Sequence, residues 1–184
     1  MVMLKTLIIG YGNPDREDDG VAWHVLEKLA HHFNSPITTV DELALTLQLA
    51  HSGETEADTP NLLSLAQRPV HLAFALQLTP EMAETVAQYQ RVCFIDAHTG
   101  AYSEEIRVVP VKPGYQASPF THHLTPESCL TLAQTLSGHV PAGLMVSIRG
   151  YRFGYGIELS DQTAALVDKA LVQIMSWINQ NTLQ

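Results

Sequence analysis

Four carboxylates crowd into one short glycine-bearing segment near the start of the sequence. The segment GYGNPDREDDG, residues 10–20, follows an apolar run and carries Asp15, Glu17, Asp18 and Asp19. Glycine turns often receive phosphate, but GxGxxG requires glycine where Asp15 stands, and clustered carboxylates would repel a pyrophosphate. These acids favour a cation instead. For Asp18 or Asp19 alone a helix cap is the better explanation, because a helix N-terminus attracts carboxylates.

Two further element junctions supply possible partners for these acids. Asp96 is the first polar side chain after RVCFI, although by itself it could cap a turn. His122 and His123 stand in FTHHLTPE, where a histidine pair is usually only a surface feature. One carboxylate from the first loop, one from a strand end and one imidazole would form a site for a borderline transition metal such as nickel or zinc.

Apolar periodicity predicts a βα alternation that would bring these junctions to one edge of a sheet. Apolar runs predict strands at Leu4–Ile9, Val70–Leu78, Val92–Ile95, Glu105–Val111 and Leu144–Ile148. Helical spacing and capping residues predict helices over Val21–Phe33, from Pro80 to about Gln90, between the caps Thr125 and Gly138, and from the cap Ser160 to about Ile178. The order predicts an α/β layered domain with a mostly parallel sheet of about five strands.

Residues 37–67 interrupt this alternation. They contain the Leu- and Ala-rich DELALTLQLA and then the polar run HSGETEADTPN, and no simple βα unit accounts for them. We interpret the stretch as an insertion with some helix and an exposed polar tip. With 184 residues, 46% of them hydrophobic, the chain is predicted to form one domain over residues 1–184.

Charge and composition exclude several classes of partner. The formal net charge of -9, from 10 Lys and Arg against 19 Asp and Glu, offers no basic surface for nucleic acid or an anionic membrane. No apolar run approaches the roughly 18 to 20 residues of a membrane span, and the N-terminus lacks signal-peptide features. Cys93 and Cys129 show no CxxC spacing, which indicates neither a disulfide framework nor a thiolate metal site. A cytoplasmic location is the simplest expectation.

Four motifs resemble those of the nickel-iron hydrogenase maturation endopeptidases. They occur in the order GYGNPDREDDG after a strand, FIDAH ending another, FTHHLTPE opening a helix and RGYRFGYGIELS before the last helix. The resemblance covers most of the chain outside residues 37–67. It implies a three-layer αβα fold and removal of a short C-terminal extension from the hydrogenase large subunit after its nickel is installed.

The resemblance also implies particular site residues. The family's metal contacts fall on Asp19, Asp96 and His122, which are the expected catalytic and metal-contacting residues. His122 is preferred to His123 because its spacing to Leu130 suits the family pattern. The nickel is expected to be supplied by the substrate precursor, since three ligands of modest softness need not retain it alone.

The sequence offers no ready nucleophile for this cleavage. It contains no GxSxG elbow and no HExxH helix, and a thiolate is disfavoured in the apolar settings of both cysteines. Whether the metal activates water or a carboxylate such as Asp18 acts as general base stays open. Asp15, Arg16 and Glu17 are predicted to be solvated. The alternatives are a non-catalytic metalloenzyme assembly chaperone and a nucleotide-binding α/β protein.

Overall fold

The structure is a computed structural model that describes residues 4–52, 65–115 and 124–180. In this part of the chain one sheet contains β1 (Thr6–Tyr11), β2 (Ile37–Thr39), β3 (Val70–Ala75), β4 (Arg91–His98), β5 (Ile106–Val111) and β6 (Ala142–Arg149). The strand order is β2-β3-β1-β4-β6-β5. Every neighbouring pair is parallel except β5 with β6. The carboxyl ends of the parallel strands therefore meet at one edge.

Helices cover both faces of the sheet and give the fold three layers. The described helices are α1 (Val21–Phe33), α2 (Val40–Ser52), α3 (Met82–Val86), α4 (Pro126–Ser137) and α5 (Asp161–Asn179). On one face Ile8 of β1 shares a buried cluster with Leu26 of α1 and Ile174 of α5. On the other face Leu7 shares a cluster with residues of α2, α3 and α4, including Leu130. Successive residues of β1 are thus buried on opposite faces, which explains its continuous apolar run.

Two predicted helix starts follow from local capping chemistry, whereas the helix predicted from Pro80 to about Gln90 spans only Met82–Val86 and has no side-chain cap hydrogen bond. The Thr125 hydroxyl accepts the Ser128 N–H at 3.2 Å, and the Ser160 hydroxyl accepts the Thr163 N–H at 3.3 Å. These contacts start α4 and α5, as predicted, because a hydroxyl satisfies an otherwise unpaired N–H of the first turn. Gly138 ends α4 with φ 70°, a left-handed conformation that glycine adopts without strain.

Residues 37–67 begin with a regular strand and helix. Ile37 of β2 pairs with Leu72 of β3, and α2 buries Leu43 and Leu47 in the core. The expected helix is therefore present, but the statement that no βα unit accounts for this stretch was wrong for its first part. A three-residue edge strand is too short to show a period of two, so its sequence carries no strand signal. The predicted polar tip at 53–64 lies outside the described residues.

The predicted α/β fold class with a mostly parallel sheet is confirmed, and the described ranges contain six strands in place of about five. The additional strand is β2. Within the described ranges, no helix combines the length and the apolar character that crossing a bilayer requires.

Candidate functional site

A glycine turn brings the first loop against the end of β4. Gly12 has φ 133°, and a Cβ at this position would lie 2.2 Å from the carbonyl oxygen of Asp19 and 3.9 Å from Oδ1 of Asp96. Only glycine fits both the conformation and the space. The Asn13 N–H donates to Oδ2 of Asp19 at 3.1 Å, which holds that side chain beside the turn. Asp19 and Asp96, predicted from separate motifs, are therefore brought together around Gly12.

Asp96 lies within β4, because the strand continues to His98 and does not end at Ile95 as predicted. Its Oδ1 accepts the Ala97 N–H at 2.7 Å. Burial, followed by the nearby Asp19 carboxylate, raises the pKa of Asp96 to about 7. Burial and the Asp96 carboxylate also raise the pKa of the Tyr11 hydroxyl. A cation between the two aspartates would offset their repulsion and favour the ionised form of Asp96.

Asp18, the neighbour of Asp19, is buried and hydrogen-bonded to residues of the 151–160 loop. It is fully buried, and its carboxylate accepts the N–H groups of Tyr151 at 2.7 Å, Arg152 at 2.8 Å and Ser160 at 2.7 Å. The Ser160 hydroxyl donates at 2.7 Å as well. Burial alone would raise the pKa of Asp18, but the Ser160 and Tyr151 hydrogen bonds outweigh it and lower the pKa. A fully bonded, buried carboxylate is a poor general base, so the structure does not support that alternative.

Glu17 ties the same two loops together beside Asp18. Its Oε1 lies 2.6 Å from Nε of Arg152, and its Oε2 accepts the Gly154 N–H at 2.6 Å. The side chain is only 14% exposed, so the prediction that Glu17 is solvated was wrong. Asp15 and Arg16 are exposed, as predicted. The RGYRFGYGIELS motif is thus the partner loop of the acidic segment.

A cavity of about 430 Å³ opens beside Asp96 at the carboxyl edge of the sheet. Its lining includes Tyr11, Asp96, His98, Tyr102, Arg107 and Glu127. Open α/β sheets bind ligands at this edge, and the cavity is large enough for several atoms of a peptide chain.

His98 is a cavity residue that the sequence reasoning did not identify. It is 7% exposed and lies two residues after Asp96 on β4. Residues two apart share a face of a strand, so extending the predicted strand past Ile95 would have identified His98.

The third predicted metal contact cannot be placed by the described residues. His122 and His123 both lie in residues 116–123, outside the described ranges, so the choice between them stays a prediction. Among the described residues, no group of three His, Cys, Asp or Glu side chains is positioned to hold a metal ion. The structure therefore brings together two of the three predicted contacts, Asp19 and Asp96.

Neither cysteine is suited to be a nucleophile. Cys93 and Cys129 are both fully buried. Burial raises the pKa of the Cys93 thiol, and it raises that of Cys129 to about 12. The reactive thiolate is thus strongly disfavoured at both positions, as the sequence indicated.

Comparison with known proteins identifies the fold. No protein-family model and no curated protein sequence matches the chain. Among solved structures, the hydrogenase maturating endopeptidase HybD from E. coli is 15% identical with a TM-score of 0.61, covering 96% of this chain and 93% of that one. The NiFe hydrogenase maturation protease HycI from Thermococcus kodakarensis KOD1 is 16% identical with a TM-score of 0.58, covering 97% and 94%.

A solution structure of an endopeptidase from Escherichia coli is also similar, at 15% identity and a TM-score of 0.59, covering 98% of this chain and 96% of that one. At such identities the likeness shows the fold alone. The chain has the three-layer α/β fold of the hydrogenase maturation proteases over nearly its whole length, which confirms at the level of fold the resemblance that the four motifs indicated.

Proposed function

We propose that this chain is an endopeptidase that removes the C-terminal extension of a nickel-iron hydrogenase large-subunit precursor after nickel insertion. The observation that carries the proposal is the convergence of Asp19 and Asp96 around Gly12, beside a cavity at the carboxyl edge. The fold shared with hydrogenase maturation proteases supports the same conclusion.

The two aspartates would recognise nickel that is already bound in the precursor. Asp96 is half-buried, and the repulsion from Asp19 contributes to its raised pKa, so a cation between them would be favourable. Two carboxylates and one imidazole, which His122 would supply, suit a borderline metal. The metal is part of the substrate, and its contact with these residues would place the adjoining peptide bond at the cavity.

Among the described residues, the two cysteine thiols and Asp18 are unsuited to attack the scissile bond. Both thiols are buried and protonated, and Asp18 is occupied by the 151–160 loop. We assign the attack to water: its oxygen bonds to the carbonyl carbon and the carbon–nitrogen bond breaks. Both water protons end on the leaving nitrogen, which departs as an ammonium group, and the new C-terminus is a carboxylate. In this proposal the chain binds the metal-bearing terminus, orients the peptide and limits access of bulk water.

The decisive experiment compares nickel-loaded and nickel-free precursor, each incubated with metal-stripped enzyme and followed by intact-mass measurement. We expect loss of the extension only from the nickel-loaded precursor. Equal cleavage of both would contradict recognition of substrate nickel. A stable complex with unshortened, nickel-loaded precursor would instead identify an assembly chaperone. A rise in the thermal midpoint with adenine nucleotides would support the nucleotide-binding alternative.

A further inference from the structure

The strand register aligns two oppositely charged side chains across the cavity floor. Asp96 of β4 pairs with Ser147 of β6, and Ser147 pairs with Arg107 of β5. Paired residues on neighbouring strands share a face of the sheet, and all three line the cavity. Adjacent strands lie about 4.8 Å apart, so the Cα atoms of Asp96 and Arg107 are separated by about 10 Å.

Arg107 lacks an ion pair among the described residues. Its guanidinium lies 4.2 Å from the centre of the Tyr102 ring. The exposed Glu104 carboxylate accepts the Ser103 hydroxyl at 2.9 Å. Its backbone and Ser103 hydrogen bonds lower its pKa, and the Arg107 charge contributes to the same effect without forming an ion pair. Residues 116–123, which precede α4, contain no Asp or Glu. In a chain of net charge -9, an arginine stacked on an aromatic ring beside a cavity is a ready partner for an external carboxylate.

The Tyr102 ring, on which the Arg107 guanidinium stacks, is itself held by His98. The His98 and Tyr102 rings meet edge to face with centroids 5.2 Å apart. The Gly100 N–H donates to Nδ1 of His98 at 3.2 Å, which orients the imidazole. The arginine is therefore presented on a supported surface, and ordering it on binding costs less side-chain entropy than ordering a free surface arginine.

We propose that Arg107 is a specificity-determining residue that binds a carboxylate in the C-terminal extension of the substrate. This inference rests on the proposed function. The metal-bearing part of the precursor would lie between Asp19 and Asp96, so the extension would run across β6 towards β5. An extended chain advances about 3.3 Å per residue, and the 10 Å separation therefore corresponds to an acidic residue about three positions from the part of the precursor that contacts Asp96.

The test uses the full chain with nickel-loaded precursor, comparing Arg107→Ala, Arg107→Lys and the control Lys112→Ala. Lys112 is exposed and follows β5, so its replacement removes the same charge outside the cavity. We expect Arg107→Ala to lower kcat/KM at least about 10-fold, mainly through KM, because a charge-assisted bidentate contact is lost. Arg107→Lys should lower kcat/KM by a smaller factor, and Lys112→Ala should leave kcat/KM unchanged.

The precursor is varied in parallel. Each Asp or Glu among the first six residues of the extension is replaced by its amide, and three glycines are added to the terminus in a separate arm. We expect one amide replacement to reproduce the loss with the unmodified enzyme, and Arg107→Ala to add nothing further. Sensitivity to the added glycines alone would assign the contact to the terminal carboxylate. An Arg107→Ala effect that is equal on all precursors would overturn the inference.

A binding measurement separates failure of this inference from failure of the proposed function. Precursor affinity is measured by biolayer interferometry, independently of cleavage. Normal cleavage and affinity with Arg107→Ala would reject the subsite and leave the protease proposal intact. Affinity that depends on Arg107, without any cleavage, would support the subsite and reject the protease proposal. If Arg107→Ala does not fold, Arg107→Glu with the matching acid-to-lysine precursor provides the test, and rescue of cleavage is expected.

Discussion

Two aspartates at the same edge of the sheet have opposite environments. Asp18 is fully buried but receives N–H groups from Tyr151, Arg152 and Ser160, which lower its pKa. Asp96 receives one backbone N–H and faces a cavity and a second carboxylate, and its pKa is raised to about 7. The difference teaches that burial alone does not identify a functional acid. What distinguishes the two is whether the carboxylate's hydrogen bonds are already satisfied within the fold.

The two environments couple folding to pH in opposite directions. Asp18 has a pKa below its ordinary 3.8, so its stabilising contribution is full above pH 3.8 and is lost as the pH falls further. Asp96 has a raised pKa, so its ionisation costs stability as the pH rises from 3.8 to about 7. The first pattern is that of a carboxylate used to hold two loops together, and the second is the pattern expected of the metal contact that we propose.

The largest effect is expected on processing. Replacing Asp19, Asp96 or His122 by alanine should lower the rate of precursor cleavage more than about 100-fold, because even outer partners of metal ligands contribute 10- to 100-fold. Asp15→Ala is the control, since its side chain is exposed in the same loop. Intact-mass time courses measure the rates.

The histidine assignment has its own control in the adjacent residue. His123→Ala should process precursor normally while His122→Ala does not. The opposite result would transfer the metal contact to His123. Unimpaired cleavage by all three variants of the proposed site would remove the site assignment altogether.

The structural aspartate should affect stability more than any other acid in the first loop. Asp18→Ala leaves the buried N–H groups of the partner loop without acceptors and should lower the free energy of unfolding by about 3 to 5 kcal/mol. Urea denaturation at pH 7 measures the loss. A change below about 1 kcal/mol would mean that the partner loop finds other acceptors and that the comparison with Asp96 is wrong.

Asp96→Asn should have the opposite effect on stability. It removes the cost of ionising a half-buried carboxylate, so the free energy of unfolding should rise relative to the unmodified protein. The gain should grow between pH 4 and 7 and level off above pH 7, reaching at most about 4 kcal/mol for a pKa displaced from 3.8 to about 7. Thermal unfolding of the metal-free proteins across this range checks it. A gain in the free energy of unfolding that does not change with pH would show that the pKa of Asp96 is not raised.

Much of the fold was predictable because its signals are local. The helix Val21–Phe33 has the bounds that its apolar periodicity predicted, and Asn34 ends it in a left-handed conformation. The capping residues Thr125 and Ser160 act within three residues of their partners. The end of β4 was missed because the polar residues Asp96 and His98 interrupt the apolar run although the strand hydrogen bonding continues.

The separation of roles within the acidic segment could not be predicted. Asp18 and Asp19 are adjacent and chemically identical, and each was equally plausible as a cap. The partners that distinguish Asp18 are Tyr151 and Ser160, which lie 133 and 142 residues away along the chain. Such contacts are created by the loop packing itself, so no local pattern in the first loop reports them.

The smallest effect on stability is expected for the ion pair between Glu17 and Arg152, which lies beside Asp18. Glu17 adopts φ 51°, and its carboxylate joins Arg152 and the Gly154 N–H, but Arg152 is 53% exposed. Solvent screening therefore limits the coupling in a double-mutant cycle of Glu17→Ala and Arg152→Ala to about 0.5 to 1 kcal/mol. Urea denaturation of the four proteins measures it. Precursor cleavage should remain within about 2-fold, because Asp18 still joins the loops. A large loss of cleavage without a loss of stability would place Glu17 or Arg152 in the substrate site. Glu17 would then belong with Asp96 among the functional acids and no longer with Asp18.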